Sequence, residues 1–224
     1  MKRDGKRTEQ GKGRRDLAEA ERKRAERFAR IAEEMERQGY VRHDLLIGIV
    51  GANLFALGLL IPLFVVGFGL YYAVHHRLDL AHLHPLLFVV AFVVLVVVHE
   101  LIHGACWSLF TPHRFRDIQF GFMRSSLTPY CTCLAPLKKG QYLFGTAMPL
   151  VLLGLLPMAA GIAAGDPTVL FLGAVMADGA AGDILVIRRI LGYRSEAGET
   201  VYMDHPTEAG CVAFQRERAG APGE

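Results

Sequence analysis

The sequence predicts an all-α membrane protein: four transmembrane helices, a short β-hairpin in the cytoplasmic loop between the second and third, and a cytoplasmic helix at the N-terminus. Two observations predict it. Charge is segregated, because residues 1–42 carry 14 of the 25 Lys and Arg and 9 of the 22 Asp and Glu, a net +5. That leaves 11 basic and 13 acidic residues for the other 182 positions, too few to cover a water-facing surface. Residues 45–74 contain no charged side chain at all, and about 20 apolar residues suffice to cross the hydrocarbon core. The whole-chain charge of +3 and mean hydropathy of +0.27 average over unlike parts: a charged leader at 1–43, a transmembrane domain at 44–191 and a polar cytoplasmic tail at 192–224.

Taken in order, the first dozen residues, MKRDGKRTEQGK, are too polar to fold alone. Residues 15–38 are rich in Ala, Glu and Arg, with Phe28, Ile31 and Met35 at helical spacing. That stripe predicts a helix that either rests on anionic headgroups or stays in a solvated leader. The first span follows some forty polar residues and is too long for a signal-peptide core. His75, His76, His82 and His84 crowd the next loop, and nothing in their spacing fixes a geometry, so they read as solvated interfacial residues. The second span starts at Pro85 and runs to Phe110. Beyond it Ile118, Phe120 and Phe122 alternate with Asp117, Gln119 and Gly121, a strand signal, with a turn predicted at Ser125–Pro129. The result is a hairpin at the membrane surface whose free edge could hold an extended peptide.

Cys131 and Cys133, spaced C-x-C on that hairpin, read as small buried residues, and with Cys106 and Cys211 as free thiols. The third span covers about Tyr142–Ala164. Pro149 and Pro157 are expected to kink it, and Gly154 and Gly161 to let it pack closely. The fourth covers about Thr168–Ile187 and is stopped by Arg188 and Arg189. Trp107 and Tyr142 read as interface anchors, and the tail shows no usable periodicity. Basic residues concentrate in the leader, the 111–141 loop and the tail, which places the protein in the cell membrane with both termini cytoplasmic. Nothing in the pattern points to nucleic acid.

The chemistry lies at the end of the second span, in His99-Glu100-Leu101-Ile102-His103. Positions i and i+4 share a helix face, so two imidazoles can bind one Zn²⁺ with a carboxylate beside them as general base. Ionisable residues inside a membrane are costly and usually serve a site. A third ligand is required, and the acids available are Asp178 and Asp183 on the fourth span. Depth permits either, but about 140° of rotation separates them on one helix.

HELIHG at the end of an apolar helix, a strand-like loop, a Pro-containing span around Met148-Pro149 and then GAAGDILV together resemble a bacterial and archaeal membrane family of zincin peptidases, itself a domain of unknown function. The resemblance covers about residues 85–192 and is similar in layout to the site-2 proteases. It implies zinc-dependent peptidase chemistry. It favours Asp183, the acid of the Gly-Asp pair, as third ligand, whereas the Asp-Gly pair of the site-2 proteases is mimicked by Asp178-Gly179. The expected function is therefore an integral-membrane zinc metallopeptidase acting on a peptide or membrane-protein substrate near the cytoplasmic face. His99, His103 and Asp183 (alternatively Asp178) would hold the metal, and Glu100 would be catalytic. The competing reading is a metal or proton transporter or sensor built on the same His and Asp residues.

Overall fold

Where the chain must satisfy its backbone without water it forms helices. In the computed structural model, which describes residues 21–78, 85–123, 128–194 and 198–217, three helical stretches are long and apolar enough to cross a membrane. They are α2 (Ile49–His75), α3 (Pro85–Ser108) from Phe88 onward, and the run Lys139–Ala164. Leu54, Leu57, Ile61, Val65, Val89 and Val93 all stand more than half exposed on α2 and α3. Such a surface suits lipid and not water.

The third span is unbroken helix from Lys139 to Ala164. Its two prolines lack the N–H that an α-helical ladder needs. Between α4 (Lys139–Pro149) and α5 (Leu156–Ala164) the chain widens into a π-helical segment, Leu150–Leu155, and runs on. The expected close packing is present: a Cβ on Gly161 would lie 2.4 Å from the Leu170 backbone, and one on Gly154 2.8 Å from Ala177.

The fourth apolar run is not one straight helix. It divides into α6 (Pro167–Gly179) and α7 (Ala181–Gly192), bent by 47° at Ala180, and makes a fourth span only if this pair is counted as one. Gly179 and Gly182 flank the break, where helix propensity is lowest. Asp166 caps α6 by accepting hydrogen bonds from the Thr168 and Val169 N–H at 2.8 and 3.2 Å.

The all-α expectation is corrected by two antiparallel sheets. One is the expected hairpin, β2 (Ile118–Met123) with β3 (Thr128–Cys133), in the register Ile118↔Cys133 to Met123↔Thr128. Thr128 and Pro129, expected in the turn, already belong to β3; the rest of that turn lies outside the described residues. The other is a four-stranded sheet in the order β1-β6-β5-β4, with β1 (Val41–Leu46), β4 (Leu137–Lys138), β5 (Gly198–Asp204) and β6 (Gly210–Glu217). Its two central strands come from the tail, where no element was expected. Period-2 alternation is invisible there because both faces are covered. Val201, Met203, Val212 and Phe214 pack under the leader helix, whereas Tyr202, Cys211 and Ala213 pack toward Trp107, Tyr142 and Ile190.

The leader helix α1 (21–37) thus spends its apolar stripe on protein. Phe28, Ala32 and Met35 are buried against the sheet, so this face is open neither to headgroups nor to water. Arg27 fastens the helix to the hairpin side, with Nη2 at 2.5 Å from Asp117 Oδ1 and Nη1 donating to the Arg116 carbonyl at 3.1 Å. At the last residue of α2, His75 is not simply solvated: its Nε2 lies 2.7 Å from the Ile162 carbonyl. His82 and His84 lie outside the described residues.

Candidate metal centre

One turn of α3 separates His99 from His103, and their Nε2 atoms converge to 3.1 Å. The bend at Ala180 swings α7 so that Asp183 falls in its first turn, where the helix dipole favours an anion. Asp183 Oδ2 stands 3.1 Å from His99 Nε2 and Oδ1 3.4 Å from His103 Nε2. One ligand atom from each residue lies within 4.8 Å of the others. Oδ2 of Asp183 is buried with no hydrogen-bond partner, and a buried carboxylate facing two imidazole nitrogens calls for a cation. This donor set, two nitrogens and one carboxylate oxygen, fits Zn²⁺ with a position left open. Asp178, on the other side of the bend, is not part of the group.

The orientation of His103 is set from behind. Its Nδ1 is 2.9 Å from the Gly145 carbonyl. A carbonyl only accepts, so Nδ1 carries the proton and Nε2 keeps its lone pair for a metal. Trp107 stacks on the His103 ring, with centroids 5.0 Å apart and planes 15° off parallel, and its Nε1–H donates to the Tyr142 carbonyl at 3.1 Å. Trp107 and Tyr142 are therefore not interface anchors. Both are buried, and they form the floor beneath the site. The floor depends on a missing side chain, because a Cβ on Gly145 would lie 2.2 Å from the Trp107 indole. Gly145→Ala is expected to push α4 off α3, break the bond to His103 and weaken metal binding at least about tenfold, the usual effect of losing such support. Competition against a chromophoric chelator measures this. Gly140→Ala, on the same helix with open space around it, should leave affinity unchanged.

Asp204, at the end of β5, was missed in the sequence because the strand itself was missed. Tyr142 Oη–H donates to Asp204 Oδ1, and the Cys133 N–H donates to Oδ2 at 2.6 Å. The carboxylate therefore ties α4 and β3 to the tail strands. Burial pushes its pKa up to about 6. A folded pKa above the unfolded value means the native state holds this proton more tightly. Stability therefore falls as pH rises from about 4 to 6, and the cost is complete above 6. Asp204→Asn keeps an acceptor without the charge. Its apparent melting temperature in detergent is expected to fall less than that of the wild type between pH 4 and 7. Among the described residues the four cysteines are free. Burial raises the Cys131, Cys133 and Cys211 thiols, as suits small buried residues.

His99, Glu100, His103 and Asp183 line a cavity of about 410 Å³, with Tyr130 and Cys131 of β3 on one wall and Asp204 to Gly210 on another. Glu100 is half-buried, and the Cys131 backbone N–H is one of its polar partners. The structure thus brings together His99, Glu100, His103 and Asp183 of the residues predicted from sequence, and leaves Asp178 apart. Against known proteins, the model of a family described as "putative zincin peptidase" matches residues 92–197. That stretch takes in all four site residues and also Asp178, but neither α1 nor β5 and β6. No curated protein and no solved structure matches the chain.

Proposed function

We propose, from the zincin peptidase match over residues 92–197 as premise, that this chain is an integral-membrane zinc-dependent metallopeptidase that hydrolyses peptide bonds near the cytoplasmic face. The observation that carries the reading is the convergence of His99, His103 and Asp183 within 4.8 Å, with Glu100 in the same cavity. The many basic residues of the leader and the pair Arg188-Arg189 support a cytoplasmic location for this end of the helices. The substrate would be a peptide or membrane protein reached from the bilayer or from the cytoplasm.

His99, His103 and Asp183 would hold the ion, and bound Zn²⁺ supplies a Lewis acid that makes water a nucleophile near neutral pH. Glu100 takes a proton from the attacking water and returns it to the leaving amine nitrogen as the C–N bond breaks. The Gly145 carbonyl and the Trp107 ring hold His103 in its ligating tautomer. Pairing of an extended substrate on β3 is confined to a short stretch. Alternate residues of a strand point their N–H groups to one side, and on this edge the Cys133 N–H is taken by Asp204 while Pro129 has none. Between them the Cys131 N–H faces Glu100, so a substrate strand would pair there only by displacing that contact.

The test is metal removal. Purified protein is expected to carry about one zinc per chain and to cleave a degenerate peptide mixture. Phenanthroline dialysis should abolish cleavage, Zn²⁺ should restore it, and His99→Ala should bind no metal. Protein without zinc and without chelator-sensitive cleavage would sink the reading. Zn²⁺ or proton uptake into liposomes, unaffected by Glu100→Gln, would replace it with the transporter alternative.

A further inference from the structure

The leader helix reaches the same cavity. Arg24 of α1 is among its lining residues, together with His99, Glu100 and Asp183. Its Nε is buried with no hydrogen-bond partner, and among the described residues no carboxylate forms an ion pair with it. The guanidinium carbon sits 4.8 Å above the centre of the Tyr130 ring on β3. A guanidinium over an aromatic face can still offer N–H groups to a planar anion. The helix is also held in place. Arg27, one turn on, is bonded to Asp117 and the Arg116 carbonyl, and Phe28, Ala32 and Met35 are buried against the sheet. A preorganised cation therefore overlooks the site, with a buried N–H whose desolvation is uncompensated until an acceptor arrives. The acids on the other walls, Glu208 and Asp204 among them, are not its partners. Asp204 is already engaged by Tyr142 and Cys133.

We propose that Arg24 receives a carboxylate of the peptide substrate, so that the site selects peptides carrying either a free C-terminus or an Asp or Glu side chain close to the scissile bond. This rests on the peptidase reading above and narrows its substrate class. Arg24 touches substrate but moves no proton; it sets specificity.

Binding can be read without turnover. Trp107 is the chain's one tryptophan and lines the cavity, so its fluorescence reports occupancy. Full-length Glu100→Gln protein in detergent, loaded with zinc, is titrated with three peptides: Ac-Leu-Gln-Leu-NH₂, Ac-Leu-Gln-Leu-OH and Ac-Leu-Glu-Leu-NH₂. One of the two carboxylate peptides is expected to bind about tenfold or more tightly than the neutral one, as a charge-assisted hydrogen bond to a buried donor requires. The tighter of the two identifies the source of the carboxylate. Adding Arg24→Gln should bring the ratio to about one with zinc content unchanged, and Arg24→Lys should keep part of it. Equal binding of all three peptides, binding of none, or a preference that survives Arg24→Gln overturns the proposal. Because the readout is equilibrium binding, a wild-type protein that cleaves nothing refutes the peptidase reading and leaves this result standing or falling by itself.

Discussion

Glu100→Gln is expected to hold as much zinc as the wild type and to cleave peptides between about 10² and 10⁴ times more slowly, the range over which a positioned general base contributes. The substitution conserves shape and removes only the ability to take a proton. Glu100 lines the cavity beside the ligand cluster without belonging to it, so the metal should be indifferent to the change. Elemental analysis of the purified variant, set beside initial rates on the same peptide mixture, separates the two effects. A variant that lost the metal would make Glu100 a ligand. A variant that cleaved within a few-fold of the wild type would remove it from the reaction and with it the mechanism proposed above.

How much of this could be read from the sequence depends on whether local rules or tertiary contacts decide each residue's place. The His99/His103 pair follows from helical periodicity alone, and the apolar spans follow from length and composition; both are local. The β2–β3 hairpin showed itself through Ile118, Phe120 and Phe122 because one of its faces is polar. β5 and β6 did not, since α1 covers one face and the helices the other, leaving a continuous apolar string in which Asp204 has no visible partner. Trp107 was misread for a related reason. An aromatic residue near a span end is usually at the interface, and only Gly145, 38 positions later in the chain, gives it room beneath His103. Arg24 could not be singled out among the leader's fourteen basic residues, because what distinguishes it is the ring of Tyr130. The site therefore has a legible half, carried by the membrane helices, and a hidden half, carried by the sheet and the leader that close over it.

The choice between the two acids of the fourth apolar run turns on one backbone feature. On a straight helix Asp178 and Asp183 point about 140° apart and lie at comparable depth, which leaves either able to face α3. The 47° bend at Ala180 breaks that equivalence. It makes Asp183 the third residue of a new helix, within 3.4 Å of both imidazole nitrogens, and leaves Asp178 at the end of the previous one. Asp183→Ala removes one of three ligands, and a site of two histidines is expected to lose its zinc on dialysis and all chelator-sensitive cleavage with it. Asp178→Ala removes a carboxylate whose Oδ1 is buried without a partner, so metal content and activity should persist, with stability unchanged or improved. Side-by-side zinc analysis of the two variants reads the outcome. If Asp178→Ala lost the metal while Asp183→Ala kept it, the ligand would come from α6, and α6 and α7 would have to align differently in the working protein. The bend, more than the motif on α3, is thus what this experiment examines.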